Sequence, residues 1–365
     1  MKAETWQGKQ VLVTGHTGFK GAWLCLWLHH LGAIVHGIAL DPPTQPSLYE
    51  VAQISSLLKS DLRVDIRDEE AVHCAIQAIQ PEVIFHLAAQ PLVAYGYAQP
   101  IETYAVNVMG TAHVLEAARN SSSVRAIVAI TTDKCYENRE WVYPYRETDP
   151  LGGFDPYSSS KACAELVISA YRTSFFKPTS GTNSPIALAS ARAGNVIGGG
   201  DWADNRLVPD CIRSFLAGEK LELRYPQAVR PWQHVLEPLA GYLLLGEALL
   251  VDQTSSVDEA WNFGPSFADT ATVREVVEQV SQQWGGDSTS IRSVPALNHE
   301  AGILRLDSSK ALTQLGWRPR WDLIRAIEET VLWYRAWSDG KPMREYSLAC
   351  LAAYADNVAL NPNNV

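Results

Sequence analysis

Tyr157 and Lys161 are two side chains whose types and spacing could do acid–base chemistry. A helix predicted over 157–176 would place them one turn apart on one face, because residues i and i+4 are neighbours on a helix. An unperturbed tyrosine, with a pKa of ~10, is a poor base at neutral pH, and a cation beside it would lower that pKa. The pair therefore predicts a tyrosine base tuned by a lysine, although an exposed tyrosine and lysine without a chemical role would show the same spacing.

A glycine-rich segment near the amino terminus could hold a phosphate. It follows a predicted strand over 10–14 and opens a predicted helix over 19–31. Glycine lets the backbone approach a diphosphate closely, and a helix N-terminus offers unpaired amide groups and a favourable dipole. The segment predicts a dinucleotide site, although a tight structural turn would also use glycine. The residues expected to line the cofactor there are Gly15, Thr17, Gly18, Phe19 and Gly21.

Asp41 indicates which dinucleotide binds. It lies twenty residues after Gly21, at the end of a predicted second strand, where a carboxylate would accept hydrogen bonds from the ribose hydroxyls of adenosine. A 2′-phosphate would be repelled there, so the sequence favours NAD over NADP. His16 and Lys20, inside the glycine segment, leave NADP open.

The elements that must position these residues follow from hydrophobic periodicity. Short apolar runs alternate with helical patterns, which is typical of a parallel sheet covered on both faces. We predict an α/β fold, a Rossmann-type doubly wound parallel sheet, followed by a smaller and mainly helical C-terminal substrate domain. Predicted strands occupy 10–14, 34–40, 62–65, 83–87, 126–131 and 186–190. Predicted helices occupy 19–31, 68–79, 101–120, 157–176, 207–217 and 236–250, with a capping box at 272–275.

Two further segments follow predicted strands, at the carboxyl ends where a doubly wound sheet binds its ligands. Either segment alone would be ordinary loop packing, so their position carries the prediction. The residues concerned are Asp65 and Ile66, expected at the adenine, and Leu87, Ala88, Ala89 and Gln90, expected along the cofactor.

Composition excludes several classes of protein. The 365 residues are 47% hydrophobic and 19% charged, which describes a globular chain with a large core. A formal net charge of −10 argues against binding to nucleic acid or to an anionic membrane, since both need a basic surface. The six cysteines lack a Cys-x-x-Cys spacing and indicate reduced thiols, and the nine histidines show no metal-ligand spacing. No metal site is predicted.

The glycine segment, Leu87-Ala-Ala-Gln90 and Tyr157-x-x-x-Lys161, in this order, resemble the extended short-chain dehydrogenase/reductase family of nucleotide-sugar enzymes. The resemblance covers nearly the whole chain. Within that family, three longer strings resemble the CDP-glucose 4,6-dehydratases. They are Thr131-Thr-Asp-Lys-Cys-Tyr-Glu-Asn-Arg-Glu140, Gly194-Asn-Val-Ile-Gly-Gly-Gly-Asp-Trp202 and Arg230-Pro-Trp-Gln-His-Val-Leu-Glu-Pro238.

The resemblance implies a dehydration that leaves NAD as it began. Tyr157 would take the proton of the C4 hydroxyl while hydride passes to NAD. A base would then remove the C5 proton, an acid would help water leave from C6, and hydride would return to C6. The resemblance also implies that Thr132 hydrogen-bonds the C4 oxygen, that Lys161 holds the nicotinamide ribose, and that Asp133 is the acid.

Lys134 departs from the pattern of the related dTDP-glucose dehydratases, which carry Thr-Asp-Glu at this point with the glutamate as C5 base. A neutral Lys134 could be the base here, because burial beside other cations lowers the pKa of a lysine. Its ammonium could instead stabilise the enolate, with another group or water as the base. The sequence leaves this choice open.

Guanidinium groups suit the diphosphate of a nucleotide sugar because they bind phosphate bidentately. By resemblance, Asn195 and Arg230 are the stronger candidates for contact with the diphosphate. The other residues expected to bind substrate are Arg192, Arg206, Arg305 and Trp202.

The resemblance further implies how the chain is organised. Residues 1–190, with a return segment at about 231–262, are expected to bind NAD, and about 191–230 with 263–355 to bind CDP-glucose. Wide apolar faces on the helices near 101–120 and 157–176 predict a homodimer or a dimer of dimers. The expected setting is the cytoplasm, in an early step towards the dideoxy sugars of lipopolysaccharide O-antigen.

Three other functions stay open at this point. They are a nucleotide-sugar 4-epimerase, a 4,6-dehydratase for another nucleotide, and a dinucleotide sensor without catalytic activity. The glycine segment with Tyr157 and Lys161 does not separate a dehydratase from an epimerase, because both oxidise C4. The adjacent Asp133 and Lys134 favour dehydration.

Overall fold

The structure is a computed structural model, which describes residues 3–176, 186–223, 225–251, 257–266, 269–285, 291–293 and 302–357. The strands of this part are, in chain order, β1 (Gln10–Thr14), β2 (Ile34–Ala39), β3 (Ser60–Arg63), β4 (Val83–His86), β5 (Ala126–Ile130), β6 (Ala187–Arg192), β7 (Val196–Ile197), β8 (Leu221–Leu223), β9 (Val229–Arg230), β10 (Gln233–His234), β11 (Ala260–Asn262), β12 (Ala271–Thr272) and β13 (Ile291–Ser293).

The helices of the described part are, in chain order, α1 (Ala3–Trp6), α2 (Phe19–His30), α3 (Leu48–Val51), α4 (Glu69–Ile79), α5 (Val93–Ala98), α6 (Pro100–Tyr104), α7 (Gly110–Arg119), α8 (Pro156–Tyr171), α9 (Leu207–Ala217), α10 (Leu236–Val251), α11 (Val273–Trp284), α12 (Leu323–Ser338) and α13 (Met343–Asp356). Short 3₁₀ turns span Ile54–Leu57 and Asp133–Cys135, and π-helical turns span Ala105–Met109, Arg172–Phe176 and Ala311–Leu315.

A seven-stranded parallel sheet forms the centre of the molecule, in the order β3-β2-β1-β4-β5-β6-β11. The predicted doubly wound Rossmann-type fold is confirmed, and each of the six predicted strands is present within about two residues of its predicted ends. The sequence did not predict β11, whose three residues pair with β6. A run this short has no measurable period, so only its neighbour in the sheet identifies it.

Alternation along the strands gives the sheet two apolar faces. Val11 and Val13 of β1 belong to a core shared with α2 and α10, while Leu12 belongs to a second core shared with α4, α7 and α8. Successive side chains of a strand point to opposite faces, so one strand serves both cores. Both faces of the sheet are therefore covered, which leaves its carboxyl edge as the place for a ligand.

The C-terminal part is mainly helical, as predicted. The capping box is present, because Thr272 Oγ accepts from the Glu275 amide while the Glu275 carboxylate accepts from the Thr272 amide. Asp322 caps α12, and α13 packs against α2. None of the described helices has the length and apolarity needed to cross a membrane.

Candidate active site

The glycine segment forms a cradle that only glycine can fill at two of its positions. Gly15 has φ +76°, and a Cβ atom there would lie 2.7 Å from the Ala88 nitrogen. A Cβ on Gly21 would overlap the Gly15 carbonyl oxygen. Gly18 precedes α2 without a side-chain cap, so the amide groups of the first turn are not covered by one. Bare backbone at a helix N-terminus fits the diphosphate of a dinucleotide.

Hydrogen bonds fix the 87–90 segment against the glycine segment. Thr14 Oγ accepts from the amides of Leu87 and Ala88, each at 3.1 Å, and bonds the His86 ring at 2.8 Å. Burial lowers the pKa of His86 to about 3, so the ring is neutral at physiological pH. The Gln90 amide donates to the Asn107 side chain at 2.9 Å. The segment is thus held beside the glycine segment, and its place along the cofactor stays a prediction.

The carboxylates predicted at the adenosine end lie at the ends of β2 and β3. Asp41 is exposed and accepts from Arg63 Nε at 2.8 Å. Asp65 accepts from Arg67 Nη2 at 2.6 Å, and Ile66, buried beside it, accepts from a His113 ring nitrogen through its carbonyl. The sequence did not single out Arg63. Its guanidinium partly neutralises the carboxylate predicted to bind the ribose.

The residues predicted to do the chemistry converge at the end of β5. Thr132 Oγ donates to Asp133 Oδ1 at 2.9 Å and accepts from the Lys134 amide at 3.3 Å. Thr132 lies close enough to the Tyr157 hydroxyl to lower the pKa of that phenol, against the effect of burial. Lys161 Nζ donates to the carbonyl of Ile130, the last residue of β5, at 3.3 Å. Two neighbouring elements, the turn after β5 and helix α8, thus form one centre.

Helix α8 begins at Pro156, directly before Tyr157. Asp155 caps it by accepting from the Ser158 amide at 3.0 Å, and Pro156 occupies the first turn. Tyr157 and Lys161 are both buried. Burial raises the pKa of Tyr157 to about 12 and lowers that of Lys161 to about 8. The phenol therefore needs a nearby positive charge to act as a base, and a protonated Lys161 supplies one below pH about 8.

Lys20, in the first turn of α2, also belongs to this centre. Burial lowers its pKa to about 8, and it interacts electrostatically with Arg206, Asp133, Lys161 and Asp201. Lys20 therefore faces the catalytic end of the site. His16, from the same glycine segment, faces the other end, where its ring bonds Asp61 at 2.7 Å.

Sequence comparison assigns the family. The sequence profile of the GDP-mannose 4,6-dehydratase family matches residues 12–330. The chain belongs to that family. It is 52% identical over 338 residues to the CDP-glucose 4,6-dehydratase of Salmonella typhimurium, covering 93% of this chain and 94% of that protein. It is 26% identical to the UDP-glucose 4-epimerase of Halalkalibacterium halodurans, covering 87% of this chain and 93% of that protein.

Solved structures of nucleotide-sugar enzymes share the fold. The dTDP-glucose 4,6-dehydratase DesIV of Streptomyces venezuelae, with NAD and TYD bound, is 25% identical with a TM-score of 0.76, covering 91% of this chain and 98% of that one. The UDP-glucose 4-epimerase of Thermotoga maritima has the same TM-score of 0.76 at 23% identity, covering 90% and 99%. The fold alone therefore does not separate a dehydratase from an epimerase.

Arg192 does not fit its predicted contact with the substrate diphosphate. Its guanidinium is buried and donates to both oxygens of Glu165, at 2.9 and 2.8 Å, and to the Tyr136 hydroxyl at 2.8 Å. Burial opposes the ionisation of Glu165, but Arg192 holds the pKa of that carboxyl below its usual value. Arg192 thus ties β6 to the helix that carries Tyr157.

Trp202 is likewise a packing residue. Its buried indole meets the rings of Trp333, Tyr334 and Trp337 edge-on, with centroids 5.2 to 5.7 Å apart. The neighbouring Asp201 contacts a predicted site residue instead, because its carboxylate accepts a hydrogen bond from Arg206 Nη1 at 2.8 Å. Trp202 was predicted near the substrate because motif residues flank it in the sequence, whereas its large apolar ring packs in the core.

The remaining predicted substrate residues differ in their surroundings. Arg206 is a third exposed and interacts electrostatically with Tyr157. Asn195 follows β6 with a φ of 44°. Arg230 is buried and donates to the carbonyls of Val229 and Gly302. Arg305 lies beside Tyr145, whose amide donates to its carbonyl at 2.9 Å. Of these, only Arg206 has a described interaction with Tyr157.

Proposed function

We propose that this chain is an NAD-dependent hydro-lyase that converts CDP-glucose to CDP-4-keto-6-deoxyglucose. The observation that carries the proposal is the 52% identity to a CDP-glucose 4,6-dehydratase over 93% of the chain. The site supports it because Tyr157 and Lys161 suit alcohol oxidation, while Asp133 and Lys134 add groups for elimination. An epimerase has no use for the second pair.

NAD fits this glycine segment, since Gly15 and Gly21 let its backbone pack closely and Gly18 leaves the amide groups at the start of α2 without a side-chain cap. Asp41 would accept from the adenosine ribose, and the 87–90 segment would lie along the cofactor. When bound, NAD would supply the hydride acceptor for C4 and the hydride donor for C6. Lys161 would hold the nicotinamide ribose and keep a positive charge beside Tyr157.

Tyr157 begins the reaction by taking the proton of the C4 hydroxyl. Its pKa of about 12 in the ligand-free protein means that the phenolate is scarce until positive charge gathers nearby. Lys161 provides that charge from the same face of α8. Oxidation must come first, because the C5 proton of a sugar is barely acidic until C4 is a ketone.

Asp133 and Lys134 then carry out the elimination. Asp133 gives a proton to the leaving C6 hydroxyl, and Lys134, half-buried at the next position, takes the C5 proton. Turnover in D2O is expected to place deuterium at C5 in wild type, and Lys134→Ala is expected to abolish this label. A Lys134→Ala enzyme that still exchanges C5 would assign the base to another group.

The substrate diphosphate is proposed to lie among Arg206, Asn195, Arg230 and Arg305. Arg206 is the best supported of these because it is partly exposed and close enough to Tyr157 to influence it. We also propose the division of labour expected from the sequence, with 1–190 and about 231–262 for NAD, and about 191–230 and 263–355 for the nucleotide sugar. Its support is that α10 packs on β5 and β6 and that β11 joins the sheet.

A homodimer, or a dimer of dimers, is proposed through α6, α7 and α8. α6 packs beside α8. Ile101 is 81% exposed on α6 and Leu166 is 58% exposed on α8, and Met109 is also exposed between α6 and α7. Apolar side chains exposed together on adjacent helices favour an isologous contact with a second copy.

The setting we propose is the cytoplasm, where NAD and nucleotide sugars are made and used. A 4-keto-6-deoxy sugar is activated for further change at the carbons beside the ketone. This supports the place expected from the sequence, early in the formation of the dideoxy sugars of lipopolysaccharide O-antigen. Cell fractionation of the producing organism would test the location.

Incubation with CDP-glucose and NAD is expected to give a 4-keto sugar, detected by its absorbance in alkali. Tyr157→Phe is the matched control and is expected to form the 4-keto sugar far more slowly than wild type. An epimerase would return a second CDP-hexose without the alkali signal. A signal with dTDP-glucose or GDP-mannose but none with CDP-glucose would overturn the nucleotide assignment.

A further inference from the structure

Thr14, the last residue of β1, holds the start of the 87–90 segment through its side chain. Its Oγ lies 3.1 Å from the amide nitrogens of both Leu87 and Ala88, and 2.8 Å from Nδ1 of His86. The Leu87 amide is shared with the Thr14 carbonyl oxygen, also at 3.1 Å. Thr14 and His86 are both buried, so the protein itself has to satisfy these polar groups.

The two amides decide where the Thr14 proton goes. A backbone N–H only donates, whereas a hydroxyl has one proton and two acceptor positions. Thr14 Oγ therefore accepts from both amides, and its own proton goes to its remaining partner among the described residues, Nδ1 of His86. Burial keeps the His86 ring neutral by lowering its pKa. A neutral ring that accepts at Nδ1 carries its proton on Nε2.

The other side of the His86 ring requires the same arrangement. Nε2 lies 3.1 Å from Thr111 Oγ, and Thr111 Oγ donates to the Asn107 carbonyl oxygen at 2.7 Å. A carbonyl oxygen has no proton to give, so the Thr111 proton goes to it and Thr111 accepts from Nε2. Thr111 and Asn107 are buried as well. The two ends of one hydrogen-bond chain thus independently place the ring proton on Nε2.

We propose that His86 is a positioning residue for NAD, which takes the Thr14 proton at Nδ1 so that Thr14 Oγ can hold the two amides at the start of the 87–90 segment. His86 acts through Thr14 and needs no contact with the cofactor. This inference rests on the proposed function, because it requires that the 87–90 segment lies along NAD.

The position of Ala88 matters because the glycine segment packs directly against it. A Cβ on Gly15 would lie 2.7 Å from the Ala88 nitrogen and 2.8 Å from its Cα. Movement of Ala88 would therefore change the space at Gly15, the first glycine of the segment expected to hold the diphosphate. At the far end, Asn107 Oδ1 accepts from the Gln90 amide at 2.9 Å. One connected network, which runs from Thr14 to Asn107, thus holds both ends of the 87–90 segment.

The position of the ring proton can be measured by NMR in the wild-type protein. With 15N-labelled histidine, the chemical shifts of the two ring nitrogens report which of them is protonated. The loss of one set of signals in His86→Asn would assign this ring among the nine histidines. We expect a protonated Nε2 and an unprotonated Nδ1, whereas a protonated Nδ1 would overturn the proposal. This measurement decides the matter even where His86→Leu does not fold.

His86→Leu tests the consequence for the cofactor, because leucine accepts no hydrogen bond from Thr14. A buried hydrogen bond left unmade is expected to raise the dissociation constant of NAD about tenfold, measured by isothermal titration calorimetry without sugar. The KM for NAD is expected to rise with it, while kcat stays within about threefold of wild type. His86→Asn keeps an acceptor near the place of Nδ1 and is expected to bind NAD within about threefold of wild type.

A double variant shows whether His86 acts through Thr14. Thr14→Val removes the hydroxyl that the ring serves and is itself expected to weaken NAD binding about tenfold. Adding His86→Leu to Thr14→Val is then expected to weaken NAD binding no further, because the two residues act as one unit. A further tenfold loss in the double variant would overturn the proposal. So would a His86→Leu protein that binds NAD as tightly as wild type.

His36 supplies the matched control. It is another buried histidine of the same sheet, and its ring bonds Gln10 and Ser60, the first residues of β1 and β3. His36→Leu is expected to lower the thermal stability and to leave the dissociation constant of NAD unchanged. A loss of NAD affinity equal to that of His86→Leu would show a general effect of destabilisation and would overturn the proposal.

The proposed function can fail separately. A wild-type enzyme that binds NAD but forms no 4-keto sugar from any nucleotide sugar would overturn the proposed function. The NMR signals of His86 and the NAD affinities of its variants would still support the positioning role, because neither measurement uses a sugar. The two failures are therefore distinguishable.

Discussion

Gly194 has no side chain, and the Asp133 carboxylate occupies the space that a side chain at this position would fill. A Cβ atom at this position would overlap both carboxylate oxygens. Gly194→Ala is therefore expected to displace Asp133 and to lower the rate of 4-keto sugar formation by about a hundredfold, as the loss of a general acid does. NAD affinity, measured by fluorescence titration, is expected to change little. Turnover within about threefold of wild type would show that Asp133 is not the acid.

Lys161 and Lys20 predict how the rate depends on pH. Burial lowers the pKa of each to about 8, so both are cations below that pH and lose their charge above it. Loss of positive charge beside Tyr157 disfavours the phenolate, so kcat/KM is expected to fall above pH about 8. Two lysines give a log–log slope steeper than −1. Lys161→Arg, which stays charged, is expected to leave a slope of about −1.

The side chains predicted to react were easier to place together than those predicted to bind. Thr132 and Asp133 follow β5, Tyr157 and Lys161 lie in the first turns of α8, and two short motifs identify all four. Arg192 was predicted to bind phosphate, but a guanidinium suits a phosphate and a carboxylate equally well. Only the fold shows that Glu165 on α8, two turns after Tyr157, faces Arg192 on β6.

Helix α8 is fixed to the sheet by a buried ion pair. Glu165 on α8 accepts from Arg192 on β6 and from the hydroxyls of Thr131 and Ser190. Removing one member of such a pair leaves an uncompensated buried charge, which costs about 3–5 kcal/mol.

Arg192→Leu is therefore expected to lower the free energy of unfolding by about 3–5 kcal/mol, measured in urea. The double variant Arg192→Leu with Glu165→Leu is expected to recover most of the loss. If Arg192 bound the substrate instead, the single variant would keep its stability and raise KM for CDP-glucose.

Elements with a clear period were predicted, and elements set by their neighbours were not. The six predicted strands and five of the six predicted helices are present, because short apolar runs mark the strands and apolar residues recur at spacings of three to four in the helices. The predicted helix over 101–120 is instead α6, a π-helical turn at Ala105–Met109 and α7. The turn places Asn107 against Gln90 and Ser160, which periodicity does not reveal.

The proposed dimer is a property of the whole molecule. Ile101→Glu with Leu166→Glu would place charges on both helices of the apolar face and is expected to give monomers at micromolar concentration by light scattering. Ile324→Glu is the matched control, since Ile324 is 62% exposed on α12, away from this face. Wild type that is monomeric at the same concentration would contradict the proposal.

The net charge of −10 acts on a ligand over a longer distance than the cations of the site do. An anionic nucleotide sugar is repelled by the protein as a whole, and it meets Lys20, Lys161 and Arg206 only inside the cleft. Salt screens the long-range repulsion first, because the Debye length is ~10 Å at 0.1 M ionic strength. The association rate, followed by stopped-flow fluorescence, is therefore expected to rise as salt is added from low ionic strength. This acidic surface would hinder substrate capture less at cellular ionic strength than in dilute buffer, whereas an enzyme with a basic surface would lose part of its steering there.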